Sequence, residues 1–329
     1  MRITIVVPGI MPSTLYGGTQ RVMWDLGRAL SQIGHRVCFL VDQVRGNCPF
    51  AEIHQIDPDT SIAAQLPNGT DIVHFNNKVI SLEGTNIPHV VTMHGNDLPE
   101  NLDKNTIFVS RNHAKRHGSE SYVYNGLDWD NIGPMGLSLQ RSGYHFLGKA
   151  AWSVKNVRGA IKLIQHLPHE QLTVLGGYRL NLKMGFRLTL SQRIRFCGMV
   201  DDVVKYAVMQ HSRGLIFPVT WHEPFGLAII ESLYAGCPVF GTPYGSLPEL
   251  VSDSRLGFLT VSESDMLAHL REKPVYDARV CHEYVRDNFS ADRMAHAYLR
   301  KYEQVLNGDA LNKSFSRREL IYRGLPWKK

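Results

Sequence analysis

Between Phe217 and Leu250 the chain reads FPVTWHEPFGLAIIESLYAGCPVFGTPYGSLPEL, and two acids in it, Glu223 and Glu231, stand with seven residues between them. Pro224, Phe225 and Gly226 introduce a helix that carries Glu231, which leaves Glu223 in the loop before it. The N–H groups of a first helical turn have no intrahelical acceptor and carry partial positive charge, so they suit an anion or a sugar oxygen. Glu231, two turns along, can accept paired hydrogen bonds from a ribose diol, and Glu223 can accept from sugar hydroxyls. The two carboxylates read as grips on the two ends of one nucleotide sugar. Taken singly, each acid also reads as an ordinary solvated carboxylate, the usual state of acidic side chains, and it is the surrounding residues that weigh against this.

Those residues occur in order along the chain. Gly17 and Gly18 follow a first strand, His94 sits in Thr92-Met93-His94-Gly95, and Asn125-Gly126-Leu127-Asp128 precedes a linker. Phe146-Leu147-Gly148-Lys149 is followed by Lys155. Lysines at a helix start oppose the helix dipole unless an anion is held there. The set resembles the E-x7-E signature and accompanying motifs of retaining glycosyltransferases of the GT-B fold, glycosyltransferase family 4, from Gly17 to about Tyr302.

The resemblance implies that Glu223 contacts the donor sugar and that Phe225, Gly226 and Leu227 offer backbone N–H groups to sugar and phosphate. It implies that Glu231 holds the ribose and that Lys149 and Lys155 neutralise the leaving diphosphate, an electrostatic role. His94 is expected near the anomeric carbon, and Gly17 and Gly18 let backbone approach phosphate. The catalytic set is therefore His94, Lys149, Lys155 and Glu223. Two departures from the family pattern occur: position 149 usually holds Arg, and the gap to Lys155 is one residue longer than is common. A lysine meets phosphate as a point charge and lacks the bidentate fork of Arg. No cofactor or metal is expected: His113, His117, His211 and His222 do not combine with nearby cysteines or acids. The implied reaction moves a sugar, with retention, from a nucleoside diphosphate donor, foremost a UDP-sugar, to a glycan, lipid-linked or small-molecule acceptor hydroxyl.

The elements that must position these residues alternate between strand and helix. Arg2 to Val7 is a β-branched strand, and a helix opening at Thr19 carries Val22, Met23, Leu26, Leu30 and Ile33 at helical spacing, ending at Gly34. Further strands are read at Val37–Val41, Ile72–Phe75, His89–Met93, Thr106–Val109 and Tyr122–Tyr124. The glycine-rich stretch from Asn131 to Gly143 reads as an interdomain connection. The alternation then restarts with Tyr144–Leu147, and helical patterns close the chain at Ala278–Asp287 and Ala291–Leu306. The expected fold class is α/β, a GT-B pair of doubly wound Rossmann-like domains facing across a cleft. The expected boundaries are 1–138, 139–290 and a helix with a basic tail, 291–329, crossing back to the first domain.

Composition agrees with a globular protein: 329 residues suit two domains, and 43% apolar with 20% charged residues is ordinary. Apolar runs are strand-sized, far below the ~20 residues of a membrane span, and no secretory signal is read at the N-terminus. Five scattered cysteines suggest free thiols and a cytoplasmic setting. Of the net charge of +6, +5 falls in residues 313–329, where Lys313, Arg317, Arg318, Arg323, Lys328 and Lys329 face only Glu319. That tail, which also carries Phe315 and Trp327, is either a peripheral membrane contact or a solvated end. The body is nearly neutral, and no nucleic-acid partner is expected. Three rival readings remain: another sugar-nucleotide enzyme such as an epimerase or a phosphorylase, a silent sugar-nucleotide-binding protein, and a dehydrogenase. The last is weakened because Gly17 and Gly18 do not form G-x-G-x-x-G.

Overall fold

A computed structural model describes residues 1–12, 18–80, 82–96, 101–182, 185–315 and 324–328. Its contacts group into two units, one of residues 1–131 with 289–319 and one of 132–288 with 320–329. The division falls at Asn131/Ile132, somewhat before the 138/139 boundary read from the glycines.

The first unit contains β1 (Arg2–Met11), α1 (Gly18–Gln32), β2 (Arg36–Val44), β3 (Glu52–Gln55), α2 (Ile62–Gln65), β4 (Ile72–Asn76), β5 (His89–Met93), β6 (Thr106–Phe108) and α3 (Arg111–Arg116), with α4 (Trp129–Ile132) at its border. Its six strands are parallel in the order β3-β2-β1-β4-β5-β6. Strands covered on both faces need apolar residues on both, and β4 is buried at every position. Helix α1 buries Val22, Met23, Leu26 and Leu30 as its spacing predicts, whereas Ile33 lies beyond the helix end and is exposed. Gly27 permits this packing, since a Cβ there would stand 2.3 Å from the Phe39 ring. Tyr122–Tyr124, read as a strand, touches the sheet by one bridge between Phe108 and Tyr122.

The second unit contains β7 (Tyr144–Leu147), α5 (Val157–Gln165), β8 (Leu172–Leu175), β9 (Leu180–Asn181), β10 (Arg187–Leu188), β11 (Ile194–Phe196), α6 (Asp202–Met209) and β12 (Leu215–Phe217). It continues with α7 (Leu227–Tyr234), β13 (Val239–Gly241), α8 (Leu247–Leu250), β14 (Gly257–Leu259), α9 (Glu263–Arg271) and α10 (Ala278–Asn288). Its main sheet is parallel, in the order β11-β8-β7-β12-β13-β14. Setting aside the β9-β10 hairpin, this is the 3-2-1-4-5-6 order of the first sheet, that of a doubly wound dinucleotide-type fold. Strand order reverses between β7 and β12, so the loops leaving their carboxyl ends flank the crevice where such sheets bind ligands.

The chain returns to the first unit through α11 (Ala291–Leu306). Ser290 caps it by accepting from the Arg293 N–H. Tyr302 and Tyr298, both fully buried, reach a polar chain on the first sheet: His74 Nδ1 is 2.7 Å from the Tyr302 hydroxyl, His74 Nε2 is 2.7 Å from Thr92 Oγ1, and Thr92 Oγ1 is 3.0 Å from the Tyr298 hydroxyl. Burial pushes the His74 imidazole down to about 3, so it is neutral and one ring nitrogen can accept. The tail read as crossing back divides: Phe315 packs on the first unit's core, whereas 324–328 lie on the second unit. There Leu325 donates to Thr220 O at 2.9 Å and Lys328 to Val261 O at 2.8 Å. Arg317, Arg318, Arg323 and Lys329 of that tail lie outside the described residues.

Candidate functional site

After β7 the chain must turn sharply to leave the sheet. Gly148 and Gly176 make this possible, because a Cβ on Gly176, at φ +108°, would lie 2.3 Å from Gly148 O. Lys149 follows, exposed, with Nζ 5.1 Å from the centre of the Trp152 ring. A 3-10 turn, Ser153–Lys155, ends at Asn156, whose left-handed backbone (φ 53°) lets it cap α5 by accepting from Gly159 N at 3.0 Å. Asn156 Nδ2 also donates to Pro218 O at 2.8 Å, joining the turn to the loop after β12. Thr220 N adds a second tie to Val154 O at 2.9 Å.

That second loop carries Glu223. Its Oε2 accepts from Lys155 Nζ at 2.6 Å and from Trp221 Nε1 at 2.8 Å, and only 6% of the residue is exposed. The Lys155 ammonium also lies 4.9 Å from the Trp221 ring centre and 5.3 Å from that of Phe217, a geometry in which aromatic faces attract the cation. Trp152 meets Trp221 edge to face at 6.0 Å. The resemblance implies phosphate for Lys155 and sugar for Glu223 as separate roles; the structure joins the two residues as one ion pair, with the ammonium against the Phe217 and Trp221 rings. Neither Trp152 nor Trp221 is singled out by the sequence, although both lie within the motifs.

The Glu223 backbone is clasped from the other side by Gly245, with Ser246 N donating to Glu223 O at 3.0 Å. A Cβ on Gly245 would stand 2.2 Å from Glu223 O, and φ there is +67°. Helix α7 then begins at Gly226, at φ +92°, without a side-chain cap. Gly226 and Leu227 are half-buried, whereas the Phe225 side chain belongs to the core and its carbonyl accepts from the Ser246 hydroxyl. The first turn of α7 thus leaves backbone N–H groups without intrahelical acceptors. Glu231, 1% exposed, lies 2.5 Å from Lys205 Nζ, which also reaches Asp202 Oδ1 at 2.6 Å. The solvated-acid reading of Glu231 is thereby excluded. Lys205 is fully buried and escaped the sequence reading because a lysine on a helix is ordinarily on its surface.

His94 and Gly18 belong to the first unit. His94 Nε2 is 2.8 Å from Asn76 Oδ1, and its backbone N donates to Asn77 Oδ1 at 3.2 Å. Burial pushes the imidazole down to about 4, so the ring is neutral near pH 7. Gly18 opens α1, and Gly17 lies outside the described residues. Near His94, a cavity of about 340 Å³ is lined by Asn77, Lys78, Val79, Met93, Leu102 and Asp103, among others. Among the described residues, three metal-binding side chains come together only at Cys38, Glu52 and His54. Burial pushes the Cys38 thiol up to about 12, and Glu52 is engaged by Arg2 at 2.9 Å. No described helix is long and apolar enough to cross a membrane.

Residues 142–272, which include both loops and α7, match the family described as Glycosyl transferases group 1. The chain is 29% identical over 98 residues to a phosphatidyl-myo-inositol mannosyltransferase of Mycobacterium tuberculosis, covering 30% of this chain and 26% of that protein. It is 33% identical over 111 residues to O-antigen chain mannosyltransferase B of Escherichia coli, covering 31% and 29% respectively. These matches span less than a third of the relatives' lengths. The fold as a whole is similar to a glycosyltransferase involved in avilamycin A biosynthesis, with a TM-score of 0.74 and 16% identity over 93% of this chain and 98% of that one. It is also similar to the HepE protein of Anabaena in complex with UDP-glucose, at 0.64 and 16% over 92% and 100%. The architecture is that of the GT-B glycosyltransferases.

Proposed function

We propose that this protein is a retaining glycosyltransferase of family 4 that takes a sugar from a UDP-sugar and passes it to an acceptor hydroxyl without a metal ion. The observation that carries the reading is the pairing of Lys155 with Glu223 beside the uncapped start of α7, at the strand-order reversal of the second sheet. Such a site offers a cation and helix N–H groups to a diphosphate, and a carboxylate to the sugar bonded to it. Without donor, the two charges hold each other. With donor, phosphate oxygens take the ammonium and sugar hydroxyls donate to the carboxylate.

Glu231, held by Lys205, accepts from the ribose diol in this reading. Lys149, on its exposed loop, adds charge as the leaving diphosphate forms. The neutral His94 ring, its Nε2 now 2.8 Å from Asn76 Oδ1, can offer that nitrogen to a sugar hydroxyl. No described carboxylate is assigned as a nucleophile. Attack is therefore from the face the diphosphate leaves: the acceptor oxygen bonds to the anomeric carbon as the C–O bond to phosphate breaks, and the departing phosphate oxygen takes the acceptor proton. The cavity beside Asn77 and Met93 is the place we assign to a glycan, lipid-linked or small-molecule acceptor.

The test begins with thermal shifts in UDP-, GDP- and ADP-sugars, because a bound donor stabilises by RT ln(1 + [L]/Kd). UDP release is then followed with candidate acceptors, with and without EDTA, and the product's anomeric configuration is read by NMR. The reading predicts a shift with a UDP-sugar, acceptor-dependent release, indifference to EDTA and a retained linkage. Binding without release under every acceptor would make the protein a sugar-nucleotide binder, and an inverted product would end the front-face route.

A further inference from the structure

The β9-β10 hairpin is built with its apolar residues outside. Its register pairs Leu188 with Leu180 and Arg187 with Asn181, and side chains alternate between faces along each strand. Continuing that register places Tyr178, Leu180, Leu182, Phe186, Leu188 and Leu190 on one face. All six are exposed, at 67%, 50%, 70%, 64%, 52% and 80% respectively. The opposite face is polar and is the one turned inward: Arg187 and Thr189 are each 6% exposed. Arg187 donates to Tyr178 O at 2.9 Å and to Thr189 Oγ1 at 3.1 Å, and its guanidinium lies 4.8 Å from the Phe196 ring centre. The Arg158 side chain grips Phe186 O, and Arg179 donates to Ser191 O at 3.0 Å. The hairpin's orientation is thus fixed by hydrogen bonds, and flipping it would break them.

A contiguous apolar face of this size in water marks a docking surface, and the sequence around it says what docks. Residues 171–200 contain Arg179, Lys183, Arg187, Arg193 and Arg195 and no Asp or Glu. A second copy meeting this face about a two-fold axis would set that positive segment against itself. An anionic surface meets it with complementary charge, and lipid accepts the leucines and the two aromatic rings. We propose that the apolar face formed by residues 178–182 and 186–190 lies in an anionic lipid bilayer, with Arg179 and Arg195, both exposed, at headgroup level. The hairpin follows the carboxyl end of β8, where Gly148 N donates to Leu175 O at 3.0 Å, so a docked hairpin lies next to the Lys149 loop. This inference stands without the sugar-transfer reading.

The experiment is co-sedimentation of the full chain with vesicles of phosphatidylcholine and with vesicles of equal parts phosphatidylcholine and phosphatidylglycerol. The parent is expected to bind the anionic vesicles and to be released by salt as screening grows. Leu182→Asp with Leu190→Asp alters only exposed side chains, so its melting profile should match the parent, while its vesicle affinity falls at least about tenfold. Equal binding by variant and parent would show that the basic tail or another surface carries the attachment, and the proposal fails. It fails equally if the parent ignores anionic vesicles, or if sedimentation equilibrium shows a dimer that the same substitutions dissolve.

Discussion

Replacing Lys205 by Met tests the buried charge network on which the proposed ribose contact of Glu231 rests. Lys205 is fully buried and Glu231 is 1% exposed, with their charged atoms 2.5 Å apart. Two unit charges about 3 Å apart attract by roughly 5 kcal/mol at an effective dielectric constant near 20, and desolvation of both offsets much of that. Removing the lysine leaves the desolvation of the carboxylate without its compensation, which costs about 3–5 kcal/mol. For a unit of this size that is a melting-point loss of roughly 6–20 °C. Methionine keeps the chain length, so packing changes little. Adding Glu231→Gln removes the stranded charge, and the double variant should regain most of the loss. Thermal unfolding of the parent, both single variants and the double variant completes the cycle. The same samples, melted with UDP, report on the ribose: the UDP-dependent shift should be absent whenever Glu231 is Gln. A Lys205→Met protein that melts with the parent, or a double variant no more stable than the single one, would refute the claim that this pair is closed off from water. A full UDP shift in Glu231→Gln would remove Glu231 from donor binding while leaving its structural role intact.

Lys155→Met retains contact with the Phe217 and Trp221 rings but removes the charge, so kcat for UDP release should fall roughly a hundredfold or more; a change within a few-fold would discard the lysine as the phosphate partner. Gly126→Ala places a Cβ 2.1 Å from Ser290 O, where the returning chain crosses the first unit, and should destabilise by about 1–3 kcal/mol in denaturant titrations. Asp25, 5% exposed, has its carboxyl pushed up to about 6 by burial, from an ordinary 3.8. A raised carboxyl pKa means the folded state binds the proton more tightly, so this residue lowers stability progressively as pH rises from about 4 through 6. The full cost, up to about 3 kcal/mol, is present above that window. Asp25→Asn keeps an acceptor for the Asp128 N–H, so it should stabilise the protein at pH 8 and make no difference below about pH 4; a gain unchanged across that range would contradict the burial argument.

The sequence by itself determined the alternation of strands and helices, and with it the doubly wound fold of both units. That pattern is local: β-branched runs such as Ile72–Phe75 and the 3.6-residue spacing of Val22, Met23, Leu26 and Leu30 express what each element buries. It also marked Glu223 and the Gly226 helix start, because their spacing on a strand-loop-helix survives without knowledge of the tertiary fold, while Lys155 was marked by the family resemblance. Edge elements were less legible. β3, with its exposed polar residues, and the three-residue β14 gain their strand conformation from the neighbour they pair with, not from their own pattern. Only the tertiary structure decided that Lys155 closes on Glu223 against the Phe217 and Trp221 rings, since the ion-pair partners stand 68 positions apart in the chain. It alone turned Lys205 inward to Glu231, a choice no helical periodicity announces. No element is read from the sequence over the apolar residues at 180, 182, 186, 188 and 190. The register of β9 with β10, and the hydrogen bonds of Arg187 behind it, turned those residues to the solvent.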